Sequence, residues 1–168
     1  MNPLLERAIA RQEAELGVPL DYVRTLGETS TAMVIKMAAF GPLAGHRKVT
    51  PPDIWHLARL AATKVQDCGT CVQIVVDQAR ADGVSGVVIK AALDDGAGLE
   101  DGQKLALRFG HAVASRENAR ETVEATRDWF GQDVQVELAL AVATCQLFPI
   151  LKRGLGQDLA CSLVTVEV

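Results

Sequence analysis

Apolar side chains recur at helical spacing along nearly the whole chain. After Pro3 this pattern predicts a helix to about Leu16, ended by Gly17 and Pro19, and then one helix over 21–40. No series of alternating strands and no regular change between helix and strand interrupts the pattern. The chain is therefore predicted to be all-α.

The middle of the chain predicts two helices around a short break. Thr50 is expected to cap a helix whose first residue is Pro51, and a second helix is predicted over 71–81, ended by Gly83. The first of these helices has an apolar face and a polar stripe. The polar stripe consists of Asp53, His56, Arg59, Thr63 and Gln66.

The last part of the chain continues the helical pattern. The predicted segments are 85–93, 99–115, 118–130 and 134–147. Asn118 and Glu121 have the spacing of a capping box, and Asp133 is expected to cap the final segment. Pro149 is expected to end or kink that segment, and a short extended piece is predicted over 163–166.

The length and composition are those of a single globular domain over 1–168. Hydrophobic residues make up 49% of the chain and charged residues 23%, which is neither disordered nor fibrous composition. Two Trp, one Tyr and four Phe are the only aromatic residues, so the core is expected to consist of Leu, Val, Ile and Ala.

Charge and hydropathy exclude several partners. The formal net charge is −4 without a Lys/Arg cluster, which argues against a nucleic-acid partner. No run approaches the roughly 18 uncharged apolar residues of a membrane span, and the N-terminus lacks the layout of a signal peptide. The chain is therefore predicted to be cytoplasmic and without a membrane partner. Cytosolic disulfides are mostly transient, which favours a redox role for paired cysteines.

The segment Cys68-Gly69-Thr70-Cys71 carries the clearest chemical signal. Two thiols at this spacing can form a disulfide or supply half of a zinc site. Zinc is disfavoured because no second pair of ligands follows at a similar spacing, and Cys145 and Cys161 are predicted as core residues. We therefore expect no metal and no other cofactor.

A cysteine at the start of a helix can be reactive. Unpaired backbone N–H groups and the helix dipole would stabilise a Cys68 thiolate, and Cys71 could then trap the oxidised sulfur as a disulfide. Lys64 is close in sequence and could support the anion. The alternative is that both cysteines are buried and inert, packing as small hydrophobic side chains.

The order of these segments resembles the carboxymuconolactone decarboxylase superfamily, in its alkylhydroperoxidase D-like branch. The resemblance covers about 52–154, with Cys68-Gly69-Thr70-Cys71 opening the second helix, and leaves 1–50 as an N-terminal helical extension. It implies a helical bundle that assembles as a homo-oligomer (trimer, hexamer or dimer). It also implies reduction of a peroxide substrate by the cysteine pair, with an external dithiol or thioredoxin-like electron donor.

The resemblance assigns the two cysteines differently from the dipole argument. It implies that Cys71 is oxidised to the sulfenic acid and that Cys68 donates a proton and resolves it, so the order stays open. Two relay positions also depart from the family pattern: Val75 stands where the family has a histidine, and His56 where it has a glutamate. One hypothesis is that His56 acts as the base. The alternative is that His56 lies on a solvated stripe.

Three functions are compatible with these residues. The first is a thiol-dependent peroxidase or disulfide oxidoreductase that uses Cys68 and Cys71. The second is a non-catalytic or redox-sensing oligomer that has lost the proton relay. The third is a lyase of the carboxymuconolactone decarboxylase type, for which His56 has no convincing acid–base partner in the sequence. Trp55 and Trp129 are predicted as core or interface anchors, and Glu137 is explained by the dipole of its helix.

Overall fold

The computed structural model describes residues 1–94, 96–115 and 118–157. Within these ranges the chain forms eleven helices and no strand, so the all-α prediction is confirmed. The predicted extended piece at 163–166 and Cys161 lie outside the described residues. The helices are α1 (Pro3–Leu16), α2 (Asp21–Thr29), α3 (Thr31–Ala38), α4 (Gly41–Ala44), α5 (Pro52–Lys64), α6 (Gly69–Ala81), α7 (Gly86–Leu93), α8 (Asp101–Ala114), α9 (Arg120–Phe130), α10 (Gln132–Cys145) and α11 (Leu147–Gly154).

The single helix predicted over 21–40 is wrong, because the chain breaks at Ser30. Ser30 is extended, with φ −163° and ψ 115°, and it separates α2 from α3. Thr29 and Thr31 flank it. Short hydroxyl side chains bond to nearby backbone groups and so compete with helical hydrogen bonds, which makes this triplet a weak point in a helix.

Pro149 breaks the last helical segment, as predicted, although the break falls a few residues before the proline. The break falls at Gln146, between α10 and α11, and Pro149 is the third residue of α11. The first-turn N–H groups of a helix have no intrahelical acceptor, so a proline there loses no hydrogen bond.

One of the two predicted caps is wrong. Gly131, not Asp133, precedes α10. Asn118 does cap α9, because its side chain accepts the Arg120 N–H (3.2 Å), and Ala119 between them has helical dihedral angles.

Helix α5 is the centre of the main core. Its residues from Ile54 to Thr63 are all buried, and the helix packs against α6, α7, α8 and α10. The most extensive of these contacts is with α8, and it includes a close approach at Gly110. A Cβ atom at Gly110 would lie 2.1 Å from the carbonyl oxygen of Ala58, so only glycine permits the two backbones to approach this far. This approach places one face of α5 against α8 and leaves the opposite face for the site.

The N-terminal helices form a second hydrophobic cluster over α11. Ile9, Val23 and Val34 are buried there. Phe148 of α11 joins the two parts, since its ring centroid lies 6.2 Å from Tyr22 and 6.3 Å from Phe40. The predicted N-terminal extension is therefore packed on the C-terminal helices.

Glu137 anchors the segment that leads into α5. Its carboxylate accepts backbone N–H groups of Lys48 (2.8 Å), Val49 (3.2 Å) and Thr50 (3.0 Å), and also the Thr50 hydroxyl (2.6 Å). Thr50 therefore bonds Glu137 and does not cap α5, where Pro51 precedes the first helical residue. The helix dipole alone does not account for Glu137, because its carboxylate satisfies three backbone donors of another segment.

Replacing Glu137 with Gln is expected to destabilise the fold in a pH-dependent way. Burial would raise the pKa of Glu137, but the bonds from Thr50, Lys48 and Val49 outweigh it and lower the pKa from 4.5 to about 2. Because the folded pKa is lower than the unfolded one, the carboxylate stabilises the fold above pH 4.5, and this contribution disappears as the pH falls towards 2.

We therefore expect E137Q to lower the free energy of unfolding by about 2 kcal/mol at pH 7, since an amide leaves buried donors unpaired. Urea denaturation at pH 7, 4 and 2.5 measures this difference, which should shrink with acidity. Exposed Glu28 provides the control, and E28Q should behave like the parent chain. A difference that is constant with pH would contradict the role of the carboxylate.

One helical stretch of the described residues is apolar enough to resemble a membrane span. It runs over Gln132–Gly154 with a mean hydropathy of 1.7 in its most apolar window, of which 44% is buried in the protein. This stretch comprises α10 and α11 and contains the break at Gln146. Mostly buried core helices of soluble proteins pass the same test, so the finding is weak evidence for a span.

Candidate functional site

The two cysteines lie at the beginning of α6, as the sequence predicts. Cys68 precedes the helix and Cys71 lies in its first turn. Their Sγ atoms are 2.7 Å apart, and both side chains are buried. Asp67, with φ 50°, turns the chain into this position. The two sulfurs are therefore placed so that a disulfide can form with little movement of the backbone.

A buried lysine lies beside Cys71. The Nζ atom of Lys152 is 3.7 Å from Cys71 Sγ, and Lys152 is only 6% exposed. The same Nζ lies 5.3 Å from the centre of the Tyr22 ring. Lys64, the predicted supporting cation, is exposed and donates to the carbonyl oxygen of Leu93. The expectation for Lys64 is therefore wrong, and among the described residues it is Lys152 that lies beside Cys71.

Cys71 lines a cavity of about 750 Å³. The cavity lies between the N-terminal helices on one side and α5, α6, α10 and α11 on the other. Cys68 is not among its lining residues. Gly41, Gly45 and Asp82 border the cavity and are exposed, so the space is reachable from solvent. The volume is within the range of sites for small organic ligands.

Part of the polar stripe of α5 faces this cavity instead of solvent. His56 is 1% exposed, Arg59 is 9% exposed, and both line the cavity together with Thr63. The alternative that His56 lies on a solvated stripe is therefore wrong. Helical periodicity separates polar from apolar faces, but a polar cavity covered by another segment gives the same pattern as solvent.

His56 lies between the carboxylate of Asp82 and the guanidinium of Arg59. Its Nε2 lies 3.0 Å from Asp82 Oδ2, and its Nδ1 lies 3.4 Å from Arg59 Nη1. Arginine can only donate, so Nδ1 accepts and the hydrogen is assigned to Nε2, which donates to Asp82. Burial lowers the pKa of His56 below 6.5 although the Asp82 bond opposes this, so the ring is neutral at pH 7. Both ring nitrogens therefore bond Asp82 and Arg59, and neither bonds a cysteine. The role of His56 as a base stays a prediction.

The remaining predicted residues take up different positions. Val75 is 3% exposed and lines the cavity, so the position where the resemblance leads us to expect a histidine is apolar. Trp55 is buried, as predicted, with Arg59 stacked 4.2 Å above its ring, whereas Trp129 is 60% exposed and is not a core residue. Cys145 is buried, as predicted for a core cysteine. Among the described residues no three His, Cys, Asp or Glu side chains are grouped as metal ligands.

Sequence reasoning missed the role of Lys152. The lysine is 81 positions from Cys71, and only the packing of α11 beside α6 brings the two together. One signal was available: Lys152 lies four residues after Phe148 and three before Leu155, on the apolar stripe of its own helix. A lysine on an apolar stripe needs a buried partner or a polar cavity.

The chain matches no protein-family model, no curated protein and no solved structure. The resemblance found in the cysteine segment and its neighbouring helices therefore stays a prediction from those residues.

Proposed function

We propose that the protein is a thiol-dependent peroxidase or disulfide oxidoreductase of the alkylhydroperoxidase D-like type. One observation carries the proposal: Cys71 lines a reachable cavity, with Cys68 Sγ 2.7 Å away and the Lys152 ammonium 3.7 Å away. A buried ammonium favours a thiolate over a neutral thiol, and the thiolate is the reactive form. The adjacent thiol of Cys68 can then form a disulfide with the oxidised Cys71.

The proposed reaction has two steps at the pair. The Cys71 thiolate attacks the outer oxygen of a peroxide, the O–O bond breaks, and the released alkoxide takes up the proton that Cys71 had lost. Cys71 is now a sulfenic acid, and the peroxide has become an alcohol. The Cys68 thiol then attacks the Cys71 sulfur, the S–O bond breaks, and water leaves as the disulfide forms. In total, two thiols and one peroxide give one disulfide, one alcohol and one water.

An external dithiol closes the cycle by exchange. One donor thiolate attacks the disulfide, the second donor thiol displaces the mixed disulfide, and Cys68 and Cys71 are reduced while the donor is oxidised. A thioredoxin-like protein fits this role. A homo-oligomer in the cytoplasm is part of the same proposal, since a reducing compartment maintains the donor.

A second candidate is a redox sensor without turnover. The apolar side chain of Val75 at the relay position favours it, because Val75 cannot transfer a proton. Both candidates require the cysteine pair to become oxidised. They differ in repeated turnover, which only the peroxidase should show when a dithiol donor is present.

The proposal is tested by thiol counting on the reduced protein. We expect one equivalent of peroxide to remove the Cys68 and Cys71 thiols together, with one disulfide formed between them in peptide mass spectra. With excess dithiothreitol the protein should consume many equivalents of peroxide. Retention of both thiols under these conditions would refute the proposal, and a single turnover would favour the sensor.

The Lys152 ammonium is tested by alkylation of Cys71 in the C68S background. We expect K152M to slow alkylation at pH 7 about tenfold, because a thiolate loses its nearby positive charge. The matched control is K64M, which removes an exposed lysine close to the pair in sequence and should have no effect. Equal rates in K152M and in the parent would remove Lys152 from the mechanism.

A further inference from the structure

Arg59 is a buried cation whose described partners are all uncharged. Its guanidinium donates to Gln78 Oε1 (2.8 Å) and to His56 Nδ1 (3.4 Å), and it stacks 4.2 Å above the Trp55 ring. Within the part of the chain that the structure describes, no carboxylate forms an ion pair with it, and its Nε has no hydrogen-bond partner. Burying a charge without a counter-ion is costly, so a residue held this way usually has a further partner.

The indole N–H of Trp55 is a second buried donor without a described acceptor. Trp55 Nε1 is buried and has no acceptor among the described residues. Trp55 and Arg59 are neighbours on α5 and both line the cavity. Buried donors are almost always paired in folded proteins, and an absent ligand is one of the few explanations for two unpaired donors at one cavity.

The charges around the cavity select the ligand class. The described wall carries the cations Arg47, Arg59 and Lys152 but only one carboxylate, Asp82, which already bonds Arg47 and His56. Arg59 is therefore the charge in this wall that a ligand would have to balance. A ligand with a single negative charge balances the single charge of Arg59, which favours a monocarboxylate over a phosphate dianion.

The opposite side of the cavity is apolar. The N-terminal helices and α11 contribute the side chains of Ile9, Leu20, Val23, Val34 and Phe148 to it. A ligand that fills a space of about 750 Å³ between these residues and Arg59 needs a charged end and an aliphatic chain.

We infer that the cavity binds an aliphatic monocarboxylate, with its carboxylate on Arg59 and its chain under the N-terminal helices. Resting on the proposed function, the substrate is then the hydroperoxide of such an acid. The carboxylate takes no part in the redox step. The hydroperoxide group loses its outer oxygen to Cys71 as described above, and the product is the corresponding hydroxy acid.

Binding can be measured without any thiol chemistry. In C68S/C71S, calorimetry at pH 7 with octanoate, 1-octanol and octyl phosphate separates the carboxylate from the chain and from other anions. We expect octanoate to bind at least about tenfold more tightly than 1-octanol. We also expect it to bind more tightly than octyl phosphate. Equal binding of octanoate and 1-octanol would overturn the inference, and so would a preference for octyl phosphate.

Arg59 is tested by R59M, which keeps the side-chain volume and removes the charge. We expect the preference for octanoate over 1-octanol to disappear while the melting temperature is equal or higher, because an unpaired buried charge has been removed. Exposed Arg80 provides the control, and R80M should bind octanoate like the parent. An unchanged preference in folded R59M would refute the assignment. If R59M does not fold, the octanoate and 1-octanol comparison in C68S/C71S still decides.

The same chemistry separates this inference from the proposed function. With linoleic acid hydroperoxide and its methyl ester, we expect the acid to oxidise the intact pair about tenfold faster. If both oxidise the pair equally, the carboxylate site is wrong and the peroxidase stands. If octanoate binds but neither hydroperoxide oxidises the pair, the peroxidase is wrong and the carboxylate site stands.

Discussion

Replacing Cys71 with Ser is expected to abolish peroxide reduction, with a loss on the order of 10³-fold in kcat/KM. A hydroxyl in place of the Cys71 thiol is not ionised at neutral pH, so the Lys152 ammonium 3.7 Å from this position has no thiolate to stabilise. The structure also separates the two cysteines by access, because Cys71 lines the cavity and Cys68 does not.

The complementary variant, C68S, should behave differently. It retains the attacking sulfur but cannot form the disulfide, so we expect one equivalent of peroxide to react rapidly and the sulfenic acid then to over-oxidise. Stopped-flow oxidation with peptide mass spectrometry distinguishes the two variants. C145A is the control, because Cys145 is buried and lies outside the proposed pair. A rapid first equivalent in C71S, absent in C68S, would instead assign the attack to Cys68, as the helix-dipole argument favours.

Replacing Gly110 with Ala is expected to lower the free energy of unfolding by about 3 kcal/mol. The new methyl group would lie 2.1 Å from the Ala58 carbonyl oxygen, and this neighbour is backbone that cannot rotate away. Relief requires α5 and α8 to separate. Because α5 also carries His56 and Arg59, we expect the separation to disturb the cavity as well as the core.

Urea denaturation of G110A against G154A measures this effect under matched chemistry. Gly154 lies at the end of α11, and a Cβ there would contact nothing within 4 Å, so G154A should be neutral or slightly stabilising. Equal stability of G110A and the parent chain would show that the two backbones do not approach as closely as this structure has them.

The sequence predicted the helices where local signals agreed. Pro3 with Gly17 delimits α1, and Ser85 caps α7 by accepting the Val87 N–H at 3.3 Å. Such signals act within a few residues, and their energies do not depend on the rest of the fold. Where a capping residue had a partner far away in the chain, the interpretation from local sequence was wrong. Thr50 is the clearest case, since Glu137 takes its hydroxyl away from the expected cap.

The candidate site also combines local and distant features. The Cys68–Cys71 pair and its place at a helix start could be predicted from spacing, because three residues of backbone determine that geometry. The side chains that surround the pair could not be predicted in this way. His56 and Arg59 were identified as polar positions on α5, but a polar stripe carries no information about whether solvent or another segment faces it.

By itself, the sequence determined an all-helical chain with two thiols at the start of a helix, since hydrophobic period, caps and short spacings are local properties. Only the tertiary structure decided which side chains surround those thiols. It brought Lys152 to Cys71, buried His56 against Asp82 and Arg59, and left Arg59 buried without a described counter-ion. The physical reason is that these contacts join segments far apart in the chain, and their energies arise only when the packed core has closed.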